Sequence, residues 1–529
     1  MKRKAVSLLC VMAMAVSLLT GCGGTSSQSS QPESTPAETE NETAEAANET
    51  TEGGESSTAA EGLDYVELDW YLTSFGQPND IDIIQEALDE YFLEKLNCKV
   101  NLNMYTSSDY SEVMPTKLMS GEQLDIVYIN QGIPYNTYAA MNAFYPIDTL
   151  WDEYGANIKE LFQEGIWKSL EFDGHVYCIP TKKDNCYIMG YIYNETLADE
   201  LGLDMENTGW NSFLDAEDLL MEALELRNEN HPEYEGRPLT SSSMSMTPHY
   251  FALEQFISNE NLLAVCNIPG KEAQGVAGMG KDTVYNFYET DEFREYCLMQ
   301  QRLVEAGVYA YDWDTFEVDL SQEASTLIVP SWGYTWIDEN MYFGDDCTSK
   351  LVVFDGAWTD SGNYTTCANT IGINCKDPER AMMVLDLVNS DPYLATLFRF
   401  GVEGEHWEYD QDGKMQLVNR NADPANPGWI DWYGVAYGSL TIANAPESYS
   451  GPDNILLTKM EEYNDEAILA EHMGFVLDTA NIENEIAACA NVKSEYQYLM
   501  QGKVGSADEV NKAVDEFVEK PILIEEIMK

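Results

Sequence analysis

Basic side chains are scarce in this sequence. Of its 529 residues, 28 are Lys or Arg and 92 are Asp or Glu, which gives a formal net charge of −64. Binding to nucleic-acid phosphates needs Lys and Arg that displace counterions, so this composition argues against a nucleic-acid-binding protein. It also argues against docking to anionic lipid through a basic surface. The acidic surplus by itself indicates only solubility.

The sequence also lacks the common signatures of catalysis and metal binding. It contains no G-x-S-x-G, no S-x-x-K, no glycine-rich phosphate loop, no H-E-x-x-H and no C-x-x-C. The segment Asp410–Gly413 differs from a calcium loop, and its Asp-Gly pair predicts a hairpin turn. We therefore expect no enzyme activity, no cofactor and no metal site. The histidines are scattered: His175, His231, His249, His406 and His472.

Cysteines do not form a disulfide pattern. Two of the 11 lie at positions 10 and 22, and the other nine are spread irregularly between Cys98 and Cys489. An odd number at irregular spacing does not predict a disulfide framework.

The only long uncharged apolar run is at the amino terminus. Residues 5–21 follow the basic residues Lys2, Arg3 and Lys4, and are too few for a membrane span of about 20 residues. They fit the apolar region of a secretory signal. The run ends in Leu19-Thr20-Gly21-Cys22, which resembles the bacterial lipobox. That resemblance implies a signal peptide over 1–21 and a lipidated Cys22 with palmitate-type chains, although an ordinary secreted protein or an anchored helix would begin similarly.

Residues 22–62 are predicted to be a disordered acidic tether. They are mostly Ser, Thr, Glu, Gly, Ala, Asn and Pro, and no Lys or Arg occurs between Cys22 and Lys95. Such a segment buries too little apolar surface to offset its ordering entropy. It would hold the following domain, residues 63–529, away from the membrane surface.

The domain begins with alternating strand and helix patterns. Apolar residues alternate over 66–72, recur at helical spacing over 80–96, and alternate again over 100–104. A helical pattern over 109–119 and an apolar strand over 124–129 follow. This βαβαβ order predicts a parallel sheet in an α/β lobe. Further helices are predicted near 210–228, 291–306, 378–398, 455–470 and 506–519.

Four segments, in this order, resemble the extracellular solute-binding proteins of ATP-driven importers, especially the sugar-type family 1. His175 and Cys178 depart from the family's usual Lys and Gly. The segments are Gly121 with Asp125-Ile126-Val127, Asp173-Gly174-His175-Val176-Tyr177-Cys178-Ile179-Pro180, Tyr193-Asn194-Glu195-Thr196-Leu197 with Leu201-Gly202-Leu203, and Asn369-Thr370-Ile371-Gly372-Ile373-Asn374 before Asp377-Pro378-Glu379-Arg380-Ala381.

The carboxyl-terminal third resembles a lipoprotein subgroup with a DUF3502-like domain. The similar segments are Phe400–Trp407, Glu485–Val492, Tyr496 and Gly502. For His406-Trp407 the sequence leaves packing, lobe bridging and ligand contact all open.

These resemblances imply an α/β, two-lobed, periplasmic-binding-protein-like (type II) fold with a mostly helical carboxyl-terminal extension. The first lobe would comprise about 63–185 and 365–430, and the second about 186–360 and 440–529. Crossings between them are expected near 181–190, 355–368 and 429–446, with the ligand bound between the lobes.

Candidate ligand contacts follow from the chemistry of sugars, which present apolar faces and a rim of hydroxyls. Flat aromatic rings and short polar side chains suit both. Residues at the carboxyl ends of strands are favoured, because open α/β sheets bind ligands there. For each tryptophan a core position remains an alternative. The candidates are Thr73, Ser74, Gln131, Tyr135, Tyr187, Trp332, Tyr334, Trp336, Trp432 and Tyr433.

The resemblance implies a lipid-anchored receptor outside the cytoplasm that delivers a solute to ABC permease subunits. An oligosaccharide is the favoured solute. An oligopeptide receptor of the same fold, a secreted glycan-degrading enzyme and an adhesive surface lipoprotein are the alternatives.

Overall fold

The structure is a computed structural model. It describes residues 62–74, 78–241, 251–257, 263–271, 273–310, 321, 323–331, 343–344, 347–354, 356–421, 428–429, 437–446, 455–475, 477 and 481–520. Within these ranges, every helix is too short or too polar to span a bilayer.

The strands of the described chain are mostly short. They are β1 (Val66–Ser74), β2 (Cys98–Thr106), β3 (Ile126–Ile129), β4 (Glu171–Phe172), β5 (His175–Val176), β6 (Ile179–Pro180), β7 (Gly190–Asn194), β8 (Leu253–Gln255), β9 (Val265–Asn267), β10 (Ile328–Ser331), β11 (Ser349–Val353), β12 (Trp358–Thr359), β13 (Ala368–Ile371), β14 (Trp407–Tyr409), β15 (Met415–Leu417) and β16 (Ile468–Leu469).

The helices occur throughout and dominate the carboxyl-terminal part. They are α1 (Ile81–Leu96), α2 (Ser107–Ser120), α3 (Tyr135–Ala140), α4 (Trp151–Tyr154), α5 (Ala156–Lys159), α6 (Glu164–Ser169), α7 (Glu195–Leu201), α8 (Glu217–Asn230), α9 (Asp291–Ala306), α10 (Gly362–Thr365), α11 (Pro378–Ser390), α12 (Pro392–Phe400), α13 (Ile455–Glu466), α14 (Glu483–Glu495), α15 (Gln497–Met500) and α16 (Ala507–Val518).

A five-stranded sheet organises the first lobe, in the order β2-β1-β3-β13-β6. β1 runs parallel to β2 and β3, so the predicted βαβαβ start is confirmed. β13 returns antiparallel between β3 and β6. The fully buried Trp70 of β1 donates its indole N–H to Oδ1 of Asn369 in β13 at 3.0 Å, which joins segments 299 residues apart.

The second lobe is built on a three-stranded antiparallel sheet, β10-β7-β11. Its central strand begins at Gly190, where an added Cβ would lie 2.1 Å from the backbone oxygen of Val352. Only glycine fits so close to the neighbouring strand. Helices α8 and α9 pack in this lobe, and α14, α15 and α16 complete its core.

Most predicted helices are present, with three differences. The helix expected over 455–470 ends at Glu466, and Ile468–Leu469 form strand β16 instead. The helix expected over 378–398 is two helices, because Pro392 cannot continue the hydrogen-bond ladder and the Asp391 side chain caps the second helix. The helix expected from 210 begins at Glu217. Ser212 and Asp215 form a capping box around a short 3₁₀ turn just before it.

Two large apolar cores define the lobes. The first gathers buried residues from 68–179 and 364–437, and the second gathers residues from 189–354 and 489–517. The chain passes between the two sheets at 181–189 and again at 354–367. A third segment, residues 464–475, lies beside both passages because β16 pairs with β12. Leu469 of this segment packs against the first core, although the sequence division placed it in the second lobe.

The buried Asn185 fastens these three segments together. Its side-chain amide donates to the backbone oxygens of Thr181 (3.1 Å) and Asn363 (3.3 Å). Its backbone oxygen accepts a hydrogen bond from the Thr359 hydroxyl at 2.6 Å. Its backbone N–H donates to Oδ1 of Asn464 at 2.9 Å. A buried polar group satisfied in this way fixes geometry that an apolar contact would leave free.

We predict that Asn185→Ala lowers the free energy of unfolding by about 3 kcal/mol, because it leaves buried backbone groups of two crossings without partners. Urea unfolding followed by circular dichroism measures this change. Asn374→Ala is the control, since the exposed Asn374 amide makes one surface bond to Gly121. Equal stability of the two variants would contradict the role given to Asn185.

Candidate functional site

The carboxyl ends of β1 and β3 lie at the sheet edge from which the crossings leave. Trp70 of β1 is level with Ile126 of β3, and Ile129 at the end of β3 pairs with Ala368. Ala368 is the first residue after the second crossing, and it also pairs with Pro180, the last residue before the first crossing. The strand ends therefore lie on the side of the first sheet from which the chain passes to the second lobe.

Three of the predicted ligand contacts lie at this edge. Thr73 and Ser74 end β1 with 1% and 2% of their surface exposed. Gln131 lies two residues beyond β3 and is exposed. The structure places these residues on the side of the first sheet from which the crossings leave, and their contact with ligand stays a prediction.

Tyr135 is placed inside the first core instead. Its ring is 2% exposed, its hydroxyl donates to the backbone oxygen of Leu170 at 2.6 Å, and it accepts from the backbone N–H of Tyr177 at 3.1 Å. Because the hydroxyl is engaged by backbone, the geometry gives Tyr135 a packing role. Tyr135 follows the end of β3, as the sequence predicts, but spacing along a sequence does not indicate which way a ring points.

Tyr187 lies on the first crossing. Its backbone N–H donates to the Trp358 oxygen at 2.7 Å, and the two rings lie 4.6 Å apart. Its hydroxyl is 3.5 Å from Oδ1 of Asp360. Burial raises the pKa of the Tyr187 phenol far above its usual range, so the phenol stays a proton donor toward that carboxylate.

The remaining predicted contacts lie outside the described residues. These are Trp332, Tyr334, Trp336, Trp432 and Tyr433, together with the predicted lipidation site Cys22.

Asp360 has an unusual environment on the second crossing. Burial raises the pKa of its carboxyl to about 6, and the nearby charge of Glu254 acts in the same direction. The backbone N–H of Gly362 donates to its Oδ1 at 3.0 Å and opposes part of this shift. A carboxyl of this kind can accept or donate a hydrogen bond near neutral pH.

The turn that follows β16 reaches both lobes. The backbone N–H of Gly474 donates to the Ser361 hydroxyl at 2.7 Å, and an added Cβ on Gly474 would lie 2.8 Å from the backbone oxygen of Ser169 in the first lobe. The next residue, Phe475, is 57% exposed and packs edge-on against Phe256 of the second lobe, 5.8 Å between ring centres. An exposed aromatic ring thus lies where the two lobes meet.

The same turn carries His472, close to Glu254 and Cys266. The three side chains place a nitrogen, an oxygen and a sulfur within 4.8 Å of one another. None of the three was among the residues singled out from the sequence as binding candidates. His472, Gly474 and Phe475 lie close together in the sequence. Their spacing does not indicate that the β8–β9 hairpin lies beside them.

His406 and Trp407 belong to the first lobe. His406 is fully buried, its Nδ1 accepts from the backbone N–H of Val402 at 3.0 Å, and its Nε2 lies 3.4 Å from Oδ2 of Asp80. Trp407 donates its indole N–H to the Gly401 oxygen at 2.9 Å. Of the roles left open by the sequence, this geometry supports packing.

The Asp410–Gly413 segment forms the turn of the β14–β15 hairpin, as predicted. The backbone N–H groups of Asp412 and Lys414 both donate to Oδ1 of Asp410 at 2.9 Å. The nine cysteines from Cys98 to Cys489 form no disulfide in the described chain.

Comparison with known proteins finds two family matches in this chain. Residues 77–239 match the family described as bacterial extracellular solute-binding protein, and residues 471–520 match a domain of unknown function, DUF3502. Both matches confirm the resemblance expected from the sequence.

A curated relative and two solved structures extend this similarity over most of the chain. A carbohydrate ABC transporter substrate-binding protein of Streptococcus pneumoniae is 22% identical over 479 residues, covering 88% of this chain and 89% of the relative. The N-glycan transport solute binding protein NgtS of that organism is 20% identical with a TM-score of 0.66, covering 86% of this chain and 99% of NgtS. Its complex with Man5GlcNAc is 19% identical with a TM-score of 0.59, covering 87% and 95%. These likenesses confirm the two-lobed fold.

We predict that Asp360→Asn becomes increasingly stable relative to wild type as the pH rises. The raised pKa means that the native state holds the Asp360 proton more tightly than the unfolded chain does. That stabilisation is present below about pH 4 and is lost as the pH rises through about 6, whereas asparagine has no proton to lose. The difference between variant and wild type should grow by up to about 3 kcal/mol between pH 4 and 7.

Urea unfolding in chelator-containing buffer at several pH values measures this difference. Asp410→Asn is a control of opposite sign, because backbone N–H groups lower the pKa of Asp410. Its stability relative to wild type should fall with rising pH. A pH-independent difference for Asp360→Asn would refute the raised pKa.

Proposed function

We propose that this chain is the substrate-binding lipoprotein of an ABC importer, which captures an extracellular oligosaccharide and delivers it to a permease. The observation that carries the proposal is the joining of two separate cores by crossings that are bonded around Asn185, beside one shared gap. A ligand that contacts both sides of such a gap favours the closed state by its differential affinity.

The side chains at the gap support a carbohydrate ligand. Phe475 offers an exposed ring, and the Tyr187 and Asp360 side chains offer polar groups close by. Rings suit the apolar faces of sugars, while carboxylates and phenols suit their hydroxyls. The relatives are named for carbohydrate and N-glycan transport, which agrees with this chemistry. The scarcity of Lys and Arg disfavours a strongly anionic ligand.

Two other ligand or reaction classes remain testable. An oligopeptide receptor would share the fold. A glycan hydrolase would need a pair of catalytic carboxyl groups, and Asp360, which lies within electrostatic reach of Glu254, is a candidate for one of them.

Isothermal titration of the full chain, purified in detergent, separates these classes. The probes are a mannose–N-acetylglucosamine oligosaccharide, a fructo-oligosaccharide, their monosaccharides and short peptides. We expect binding to one oligosaccharide series without release of shorter products. Binding to peptides alone would indicate an oligopeptide receptor instead of an oligosaccharide receptor. Release of shorter products would indicate an enzyme instead of a receptor.

We predict that Phe475→Ala weakens binding of that oligosaccharide about tenfold, which corresponds to about 1.4 kcal/mol. Tyr65→Ala is the matched control, because Tyr65 is also half exposed but precedes β1, at the sheet edge opposite the gap. Titration of both variants measures the effect. Unchanged affinity in Phe475→Ala would show that the Phe475 ring does not contact the ligand.

We predict that Cys22→Ser moves the chain from the membrane fraction to the medium, since one lipidated cysteine would anchor it. Cys10→Ser is the matched control, because Cys10 lies in the apolar part of the predicted signal. Fractionation and the mass of the mature amino-terminal peptide report the outcome. A wild-type mature amino-terminal peptide that does not begin at Cys22, or that carries no added lipid mass, would refute the lipid anchor.

A further inference from the structure

Three potential metal ligands meet at the junction of the second lobe and the third segment. Glu254 and Cys266 are paired across the β8–β9 hairpin, and His472 lies 206 residues after Cys266 on the turn that follows β16. We propose that Glu254, Cys266 and His472 form a binding site for a divalent transition-metal ion of the zinc type.

The geometry of the three atoms is close to that of a metal site. Nδ1 of His472 lies 2.9 Å from Oε2 of Glu254 and 3.8 Å from Sγ of Cys266, and Sγ lies 3.5 Å from Oε2. Tetrahedral zinc with bonds of about 2.0–2.3 Å places its ligand atoms about 3.4–3.6 Å apart. Each separation therefore needs to change by no more than about half an ångström.

The donor set selects the class of ion. A thiolate and an imidazole favour zinc-like ions over calcium or magnesium, which prefer oxygen ligands alone. Cys266 is fully buried and Glu254 is 5% exposed, while the His472 side chain is 31% exposed. This leaves one open side, where water could complete the coordination.

Electrostatics around Cys266 are favourable for a cation. The carboxylates of Glu254, Asp282 and Glu471 all act electrostatically on the Cys266 side chain. A bound ion would displace the thiol proton to solvent, and its own charge would offset the surrounding carboxylates.

The surroundings already orient two of the ligands. The backbone N–H of His472 donates to Oε1 of Glu254 at 3.1 Å, and the Phe256 ring packs edge-on against the imidazole at 5.3 Å. Partners of this kind hold metal ligands in place. A bound ion would fasten the β8–β9 hairpin to the turn that carries Phe475.

Cobalt titration of the full, chelator-treated chain tests the site. Co²⁺ bound to a thiolate gives a charge-transfer absorption band, and Zn²⁺ should displace it. We expect the band to saturate at about one ion per chain. It should disappear in Cys266→Ser and lose at least about tenfold in affinity in His472→Ala, in line with the loss of a metal ligand.

Cys375→Ser is the matched control, because Cys375 also lies beside a carboxylate, that of Asp125. It should keep the band, and Zn²⁺ should raise its melting temperature as it does that of wild type. Circular dichroism verifies that each variant is folded. Because His472 is partly exposed, the His472→Ala variant tests the site while the buried Cys266 thiol stays intact. Absence of the band in folded wild type, or its persistence in Cys266→Ser, would overturn the proposal.

Discussion

The structure depends on the hydrogen bonds made by one buried residue, Asn185. Asn185 lies on the first crossing, yet its hydrogen bonds reach the second crossing and helix α13, so three chain segments distant in sequence share one set of polar contacts. Each bond is worth little on its own, but a broken member leaves buried partners unsatisfied. We therefore expect these segments to stay together when the lobes move.

The same arrangement of the crossings determines which side chains lie beside this junction. Because the crossings leave the first sheet where β1 and β3 end, the strand termini, Tyr187 and Asp360 lie on one side of the molecule. The third segment then brings Phe475 and His472 to the same place, since Gly474 contacts the second crossing directly. A site of this kind consists of pieces that the chain contributes hundreds of residues apart.

This explains what the sequence could predict. Local patterns gave the βαβαβ start and most helices, because apolar spacing and capping act over a few residues; Pro392 broke a helix that periodicity alone would continue. The order of the segments that resemble solute-binding proteins predicted the two-lobed fold. The positions of Thr73, Ser74 and Gln131 were predicted by the rule that open α/β sheets bind ligands at the carboxyl ends of their strands. The direction of the Tyr135 ring, the raised pKa of Asp360 and the meeting of Glu254 with His472 depend on tertiary packing, which no spacing records.

The central claim is that a solute closes two lobes about this junction, and an interlobe distance tests it most directly. Labels introduced as unnatural amino acids at the exposed positions Met119 and Tyr498 would report on the two lobes, and a Met119–Met141 pair would report within the first lobe alone. With a saturating oligosaccharide, we predict that the Met119–Tyr498 distance shifts and the Met119–Met141 distance does not. An unchanged interlobe distance with ligand bound would contradict it.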